Sequence, residues 1–337
     1  MFHLKSMTWK RCSNEDETNT LSMMTPGCNK QRLIAILGPT GVGKTETAIT
    51  LASEWGAEII SADSMQVYRM MNIGTAKPSL EERAIVKHHM IDIVNPDESF
   101  NAALYNRMAG EIITALQAEK KHIFIAGGTG LYIKTLLGGL FEGPSADENI
   151  REFYREELKC HGKAYLYSKL KEKDEQAAAR INANDTVRII RALEVLELSG
   201  ESIVYQQARH GFGDSGYDCL KIGLMMDRDC LYARIDQRTD KMIQKGFLEE
   251  VAGLLEKGYH ENLKPMRSLG YKHMVSFIKG MYSFEEAIRL MKRDTKHYAK
   301  RQMTWFGADK EIEWISPQDV DTAKQRIEQF LQQSEIS

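Results

Sequence analysis

An eight-residue run has the residue types and spacing of a phosphate-binding loop. It matches the pattern GxxxxGK[ST], and its members are Gly38, Pro39, Thr40, Gly41, Val42, Gly43, Lys44 and Thr45. Glycines in such a loop let backbone N–H groups turn towards phosphate oxygens, and the helix that follows adds its dipole. Lys44 would contact the terminal phosphate, and the Thr45 hydroxyl would bind Mg²⁺. The run therefore predicts a polyphosphate site, without by itself specifying a nucleotide.

A carboxylate, Asp63, follows the second apolar run of the chain at 58–62. In an NTPase a carboxylate at this place holds Mg²⁺. Beside a bound phosphate it would instead serve as a general base. The polar run that Asp63 opens, DSMQ, is not required by metal ligation alone, and on the residues both interpretations stay open.

Two further features carry groups that would face the same crevice. The loop Gly127-Gly128-Thr129-Gly130 places the Thr129 hydroxyl near Lys44 and Asp63, although a tight turn between strand and helix explains the same glycines. Arg234 and Arg238 are four residues apart and share one helix face. They would either clamp an anionic leaving group or decorate a surface. The pair at 88–89, two histidines, is interpreted as structural because no further metal ligands stand at suitable spacing.

Apolar runs that alternate with helical patterns indicate the elements that position these groups. Strands are predicted at 33–37, 58–62, 90–94, 122–126 and 222–226, with helices at 45–55 and 101–119. This alternation predicts an α/β fold with a P-loop NTPase-like parallel sheet and flanking helices, plus a helical insertion domain. Ligands bind beyond the carboxyl ends of such strands. The domain boundaries follow, with a disordered leader at 1–31, a core at 32–143 and 211–315, the insertion at 144–210, and a C-terminal helix or tail at 316–337.

Composition narrows the class of protein. The chain has 337 residues, 45 Lys and Arg against 47 Asp and Glu, and a formal net charge of −2, which excludes an overall cationic protein. Between positions 264 and 310, however, 11 basic residues face 4 acidic ones, which is either a polyanion footprint or a solvated helix face. Five cysteines without a CxxC pair fit neither a disulfide framework nor a zinc finger. The cysteine pattern favours a reducing cytosol, so we expect a cytoplasmic protein. No apolar run approaches the roughly 18 residues that span a bilayer, so no membrane segment is expected.

Seven motifs in fixed order resemble those of the bacterial tRNA dimethylallyltransferases. They are GPTGVGKT (38–45), ISADSMQVYRMMNIGTAKP (60–78), GGTGLYI (127–133), RIIRALEVLELSG (188–200), ARIDQRTDKMIQKGFLEEV (233–251), RSLGYK (267–272) and YAKRQMTWFGAD (298–309). The resemblance runs from about residue 32 to 315. It departs from the family pattern in its longer leader and in Gly41-Val42, where the loop often has Ala-Ser.

The resemblance implies a reaction and a role for each site residue. Mg²⁺-dependent transfer of a dimethylallyl group from dimethylallyl diphosphate to the exocyclic amine of the adenosine 3′ of the anticodon, position 37, is expected. The P-loop would bind the diphosphate rather than ATP, with Thr45 on the metal. Asp63 would be the general base, Thr129 would contact substrate, and Arg238, with Arg234, would stabilise the leaving group beside Lys44.

The resemblance also implies a partner, the tRNA anticodon stem-loop. Its predicted contacts are Asp63, Ser64, Met65, Gln66, Thr129, Arg151, Val187, Arg188, Ile189, Ile190, Arg191, Arg267, Lys272, Arg301, Gln302 and Trp305. The helical insertion would clamp the stem, and the enzyme would act as a monomer. Two alternatives remain, an adenylate isopentenyltransferase acting on free AMP or ATP, and a P-loop kinase or NTPase with a helical lid.

Overall fold

A parallel sheet organises the chain. The computed structural model describes residues 30–139, 143–210 and 216–332. Within these residues six strands form one sheet: β1 (Gln31–Leu37), β2 (Glu58–Ala62), β3 (His88–His89), β4 (Ile123–Gly127), β5 (Tyr217–Leu224) and β6 (Glu313–Ile315). Their order is β3-β2-β4-β1-β5-β6, and every neighbouring pair is parallel. The predicted P-loop-like sheet is confirmed.

Helices cover the sheet and continue beyond it. In the described part of the chain they are α1 (Lys44–Glu54), α2 (Leu80–Ile85), α3 (Ala102–Ala118), α4 (Gly130–Gly138), α5 (Glu148–Lys173), α6 (Glu175–Arg180), α7 (Thr186–Ser199), α8 (Ile203–His210), α9 (Arg228–Gln244), α10 (Phe247–Glu256), α11 (Tyr271–Ile278), α12 (Phe284–Phe306) and α13 (Val320–Gln332).

The sheet is buried on both faces. Along β1, Leu33, Ala35 and Leu37 belong to one apolar cluster, while Ile34 and Ile36 belong to the other. Alternate side chains of a strand point to opposite faces, so this division places one helical layer on each side. A third cluster joins α5 to α8 around Tyr154, Leu166 and Leu193.

The register of the strands brings the three loops that carry the candidate site residues to the same end of the sheet. Gly127, at the end of β4, is paired with Leu37 of β1 and with Ala62 of β2. The P-loop, the segment that begins at Asp63 and the glycine loop therefore start at the same level, at the carboxyl ends of adjacent strands. This is the edge at which open α/β sheets bind ligands.

The predicted strand at 90–94 is wrong. The residues that pair with β2 are His88 and His89, which directly precede the predicted segment. Met90 and Asp92 have φ of 62° and 57°, a left-handed conformation that ends a strand. The Asp92 carboxylate is drawn instead into ion pairs with Lys77 and Arg83.

Two other boundaries differ from the prediction. β5 begins at Tyr217 rather than at 222. The apolar pattern in the sequence shows only its last three residues, because only these are buried. Gln31, assigned to the leader, begins β1. The rest of the predicted leader, up to residue 29, lies outside the described residues.

Candidate active site

The P-loop has the backbone geometry that its glycines predict. Gly38, Gly41 and Gly43 have φ of 142°, 85° and 112°, and Gly43 precedes the first residue of α1. Such angles are open to glycine and strained for other residues. Val42 between them is fully buried in the core, so one side chain anchors the loop while its backbone stays at the sheet edge.

A cleft of about 1000 Å³ opens on this loop. It brings together most of the residues predicted for catalysis and diphosphate binding, and its lining includes Thr40, Gly41, Gly43, Lys44, Thr45, Asp63, Gln66, Gly128, Arg234, Arg238 and Gln302. Residues separated by more than 200 positions thus share one surface. The cleft is the candidate active site.

Closely spaced cations make the cleft suited to an anion. Lys44 Nζ donates to the Pro39 carbonyl at 2.8 Å, and Arg238 donates to the Thr40 hydroxyl at 3.2 Å. Burial and the neighbouring Arg238 lower the pKa of the Lys44 ammonium to about 7, while Asp63 acts in the opposite direction. Burial also lowers the pKa of Arg238, again opposed by Asp63. The negative charge of a bound diphosphate would raise the pKa of both Lys44 and Arg238, because it stabilises their charged forms.

Asp63 is held by its own turn and keeps one oxygen available. Its Oδ1 accepts from the amides of Met65 at 2.8 Å and Gln66 at 3.4 Å. Among the described residues Oδ2 has no hydrogen-bond partner. A carboxylate that is oriented through one oxygen and open through the other has the geometry of a proton acceptor.

Thr129 contacts the segment that carries Asp63. Its hydroxyl oxygen accepts from the Ser64 amide at 3.0 Å, and its own amide donates to the Ala62 carbonyl at 3.1 Å. The threonine therefore fixes the start of the polar run after β2. Its substrate contact stays a prediction.

The donor set for a metal ion is small. Thr45 lines the cleft, and its hydroxyl has no hydrogen-bond partner in the described part of the chain. Across the same residues there is no cluster of three or more His, Cys, Asp or Glu that would hold a metal. One hydroxyl and one open carboxylate in the lining of the same cleft suit Mg²⁺, which keeps most of its waters and binds through substrate phosphates.

Several cleft residues were not predicted from the sequence. Gln237 and Lys241 of α9, and Lys245 directly after it, line the cleft beside Arg234 and Arg238. The spacing of the four cations, 234, 238, 241 and 245, is that of one helix face and was available in the sequence. Tyr298 of α12 is also present, and burial, helped by Asp63 and opposed by Arg301, raises its pKa to about 12. Its phenol stays protonated.

The predicted tRNA contacts on α5 and α7 lie away from the cleft lining and divide into two groups. Val187 and Arg188 are exposed at the start of α7, as a contact requires. Ile189, in contrast, is fully buried in the cluster of α5 to α8, and Ile190 packs against that cluster. Helix periodicity turns the Ile189 side chain into the core, so this side chain is not available to tRNA in the structure, and the predicted contact of the residue stays a prediction.

Arg151 and Arg191 are committed to a buried carboxylate. Arg151 binds Glu194 through two hydrogen bonds of 2.9 and 3.0 Å, and Arg191 donates to it at 2.6 Å. Burial alone would raise the pKa of Glu194, but these two guanidinium groups hold it below its usual value. Both arginines are half-buried. Any contact that they make with tRNA would therefore be made in addition to their ion pairs with Glu194.

Internal ion pairs neutralise much of the basic segment between 264 and 310. Lys292 pairs with Asp240 at 2.6 Å and Lys296 with Asp236 at 2.7 Å, which ties α12 to α9. Lys272 pairs with Asp294 at 2.9 Å. Arg267 is exposed and has no ion pair among the described residues. The polyanion footprint is therefore smaller than the charge count suggests.

Two further basic residues of this segment, Lys300 and Arg301, line a second groove of about 920 Å³, which we call the α12 groove. Its charged and aromatic lining is Lys134, Arg188, Lys221, Lys300, Arg301, Trp305, Phe306, Asp309 and Glu311. Lys221 is paired with both of these acidic residues. Trp305 is 41% exposed, which leaves an indole face open for stacking. Basic groups around an exposed aromatic ring are typical of surfaces that bind single-stranded nucleic acid.

Comparison with known proteins identifies the family. The family model described as IPP transferase matches residues 66–309 of the chain. The chain belongs to the IPP transferase family. This IPP transferase is 54% identical to tRNA dimethylallyltransferase 2 of Syntrophus aciditrophicus over 308 residues, which cover 91% of this chain and 99% of that protein.

Solved structures agree with this assignment. The full-length tRNA isopentenylpyrophosphate transferase of Bacillus halodurans is 39% identical, with a TM-score of 0.66 and coverage of 90% of the IPP transferase studied here and 96% of that chain. A eukaryotic dimethylallyltransferase acting on tRNA is 26% identical, with a TM-score of 0.72 and coverage of 86% and 75%. No described helix of this IPP transferase is both long enough and apolar enough to cross a bilayer.

Proposed function

We propose that this IPP transferase moves a dimethylallyl group from dimethylallyl diphosphate to the exocyclic amine of the adenosine at position 37 of tRNA. The observation that carries the proposal is the arrangement of the cleft. Lys44 and Arg238 lie at the P-loop, within electrostatic range of the Asp63 carboxylate. An anionic leaving group and a proton acceptor are both accommodated in one cavity.

The reaction balances with these groups. The adenine N6 forms a bond to the allylic carbon as the bond from that carbon to oxygen breaks, and diphosphate departs with the electron pair. The N6 proton passes to Asp63. Lys44, Arg238 and the P-loop amides stabilise the charge that grows on the diphosphate, which is normally the largest catalytic effect in such a site.

Mg²⁺ belongs to the proposal. Thr45 would hold it, with Asp63 close by, and when bound it would neutralise part of the diphosphate charge. The residues of the chain itself orient the diphosphate through the P-loop amides, and Arg238 holds the Thr40 hydroxyl in place.

The acceptor is proposed to be a tRNA anticodon stem-loop. Relatives that share most of this chain are named for tRNA, and one solved relative is described as acting on it. A stacked adenine must be extruded to reach a cleft, at a cost of a few kcal/mol. The α12 groove supplies cations and an exposed indole, and the helices α5 to α8 would form the clamp at 144–210. The proposal includes a monomeric enzyme, and the tRNA substrate supports a cytoplasmic location.

One incubation tests the proposal against its alternatives. The protein is given Mg²⁺, dimethylallyl diphosphate and either unmodified tRNA or AMP, and nucleosides are read by mass spectrometry, while a parallel sample with Mg²⁺ and ATP is assayed for ATP hydrolysis. A five-carbon gain on tRNA adenosine alone is expected. A gain on AMP alone would assign the adenylate branch, and ATP hydrolysis without any gain would assign a P-loop NTPase.

A further inference from the structure

Gln302 joins the two glycine-rich loops of the active site through its side-chain amide. Its Oε1 accepts from the Thr40 amide of the P-loop at 2.8 Å, and its Nε2 donates to the Gly128 carbonyl at 2.8 Å. The residue is only 7% exposed. Because both ends of the amide are already bonded to the backbone, it has little capacity left for an RNA base.

The glycine loop is shaped around this contact. A Cβ atom at Gly128 would lie 2.3 Å from Gln302 Nε2, and one at Gly130 would lie 2.1 Å from Trp305 Nε1. Gln302 and Trp305 are neighbours on α12, so one helix face rests on the loop at two points. A side chain larger than glycine at either position would displace the Gln302 amide or the Trp305 indole.

The Gln302 contact is part of a series of hydrogen bonds that links the groups at the diphosphate to the segment of Asp63. Gln302 connects Thr40 to Gly128. The next residue, Thr129, accepts from the Ser64 amide, and Ser64 is adjacent to Asp63. At the other end, the Thr40 hydroxyl accepts from Arg238. The path runs from the groups at the diphosphate to the carboxylate at the amine.

We propose that Gln302 is a positioning residue rather than a contact to tRNA. It sets the separation between the P-loop, which would hold the diphosphate of the donor, and the glycine loop at 127–130, which is bonded to the segment of Asp63. The inference rests on the proposed function. A displacement reaction needs the attacking and leaving atoms at fixed distance, and a misplacement of about 1 Å costs about 10²-fold in rate. The two hydrogen bonds of Gln302 hold that distance from α12.

Variants of Gln302 separate positioning from RNA contact. Gln302→Leu keeps the size of the side chain and removes both hydrogen bonds. The expected result is a fall in kcat of about 10²-fold and about tenfold weaker binding of inorganic diphosphate, with tRNA affinity within about twofold of wild type. Gln302→Glu keeps the acceptor for the Thr40 amide but loses the donor to Gly128, so an intermediate loss is expected. Gln325→Leu, an exposed glutamine on α13, is the matched control.

A double-mutant cycle tests the contact itself. Gly128→Ala should displace the amide of Gln302 and lower kcat in the same way. In Gly128→Ala with Gln302→Leu the losses should not add, since both changes break one contact. Additive losses would overturn the proposal, and so would a Gln302→Leu enzyme with unchanged kcat and tenfold weaker tRNA binding.

Failure of the proposed function is distinguishable from failure of this inference. If wild type transfers no group to tRNA, the proposed function is wrong, and diphosphate affinity still decides the role of Gln302. Weaker binding in Gln302→Leu, at an unchanged melting temperature, then supports positioning of the P-loop, and equal binding overturns it. Should Gln302→Leu fail to fold, diphosphate affinity and kcat are compared between wild type and the variants Gln302→Glu and Gly128→Ala instead.

Discussion

The Arg238 guanidinium donates a hydrogen bond to the Thr40 hydroxyl across a sequence separation of 198 residues. The contact ties α9 to the middle of the P-loop and places a permanent cation where diphosphate charge would develop. Because the guanidinium is planar and has several donors, it can hold Thr40 and still reach a phosphate oxygen. The relationship supports both an orienting and an electrostatic role for Arg238 in the proposed transfer.

Replacing Arg238 should therefore act mainly on the chemical step. Arg238→Gln is expected to lower kcat by about 10²- to 10³-fold, because a preorganised charge at the leaving group is lost. Arg238→Lys should recover only part of the loss, since an ammonium cannot make both contacts. Single-turnover rates with tRNA in excess measure the effect. A kcat within twofold of wild type in Arg238→Gln would contradict the assignment.

Asp63 should be dispensable for tRNA binding and essential for transfer. Asp63→Asn keeps the acceptor for the Met65 and Gln66 amides but removes the proton acceptor, so a loss of about 10²- to 10⁴-fold in kcat is expected. tRNA affinity, measured by filter binding, should stay near wild type. Retained turnover in Asp63→Asn or Asp63→Ala would exclude the general-base role.

The pKa of Lys44 predicts a pH dependence of donor binding. That pKa is about 7 in the ligand-free protein, against 10.5 for an ordinary lysine. Above pH 7 the free enzyme loses the ammonium charge, and a bound diphosphate favours its return. Binding at pH 8 should therefore take up a proton, and affinity for dimethylallyl diphosphate should fall as pH rises through 7.

Calorimetry in two buffers of different ionisation enthalpy measures this proton uptake. Lys44→Arg, which stays charged, is the control and corrects for titration of the diphosphate itself. Wild-type affinity that changes with pH no more than that of Lys44→Arg would refute the prediction. By the same linkage the ligand-free protein should gain stability as pH rises from about 7 towards 10.5, because the unfolded chain binds the proton more tightly.

Glu250 should stabilise the segment that follows Asp63. Its carboxylate accepts from the amides of Asn72, Ile73 and Gly74 at 2.9, 2.7 and 3.2 Å and from the Tyr271 hydroxyl at 2.6 Å. Glu250→Ala leaves these donors unpaired, and we expect a loss of about 2–3 kcal/mol in the free energy of unfolding.

Glu249→Ala is the matched control for that measurement, because Glu249 is exposed on the same helix. Denaturant unfolding of both variants gives the comparison. Equal stability of the two would mean that Glu250 is not needed to hold the loop of residues 72–74.

Lys241 and Lys245 should assist the arrival of the anionic donor. Both are exposed and line the cleft, Lys241 on α9 and Lys245 directly after it, and neither has an ion pair among the described residues. Replacing both with Gln should raise KM for dimethylallyl diphosphate by about three- to tenfold at low salt, and the difference should shrink at high salt as charges are screened. kcat should change little.

Lys121→Gln is the control for this pair, because Lys121 precedes β4 at the opposite edge of the sheet. Initial rates at several salt concentrations provide the test. A KM effect that is independent of salt would show that the lysines contact the donor directly rather than steer it.

Local patterns in the sequence determined the chemistry-bearing loops and the sheet that presents them. The P-loop follows from glycine spacing and one lysine, and Asp63 follows from its place after an apolar run. Parallel pairing follows from the alternation of strands and helices, because such connections align strand ends at one edge. These features depend on neighbours within a few residues, which a sequence displays directly.

Tertiary structure decided what each side chain contacts across the chain. Gln302 and Trp305 belong to one motif, yet the first is enclosed between two backbone loops and the second stays open to solvent. The count of basic residues between 264 and 310 says nothing of the acidic partners that α9 supplies to Lys292 and Lys296. Ile189 directly follows two exposed residues, Val187 and Arg188, and is itself part of the core. Burial and pairing depend on which distant segments approach, and they are fixed only when the helices pack.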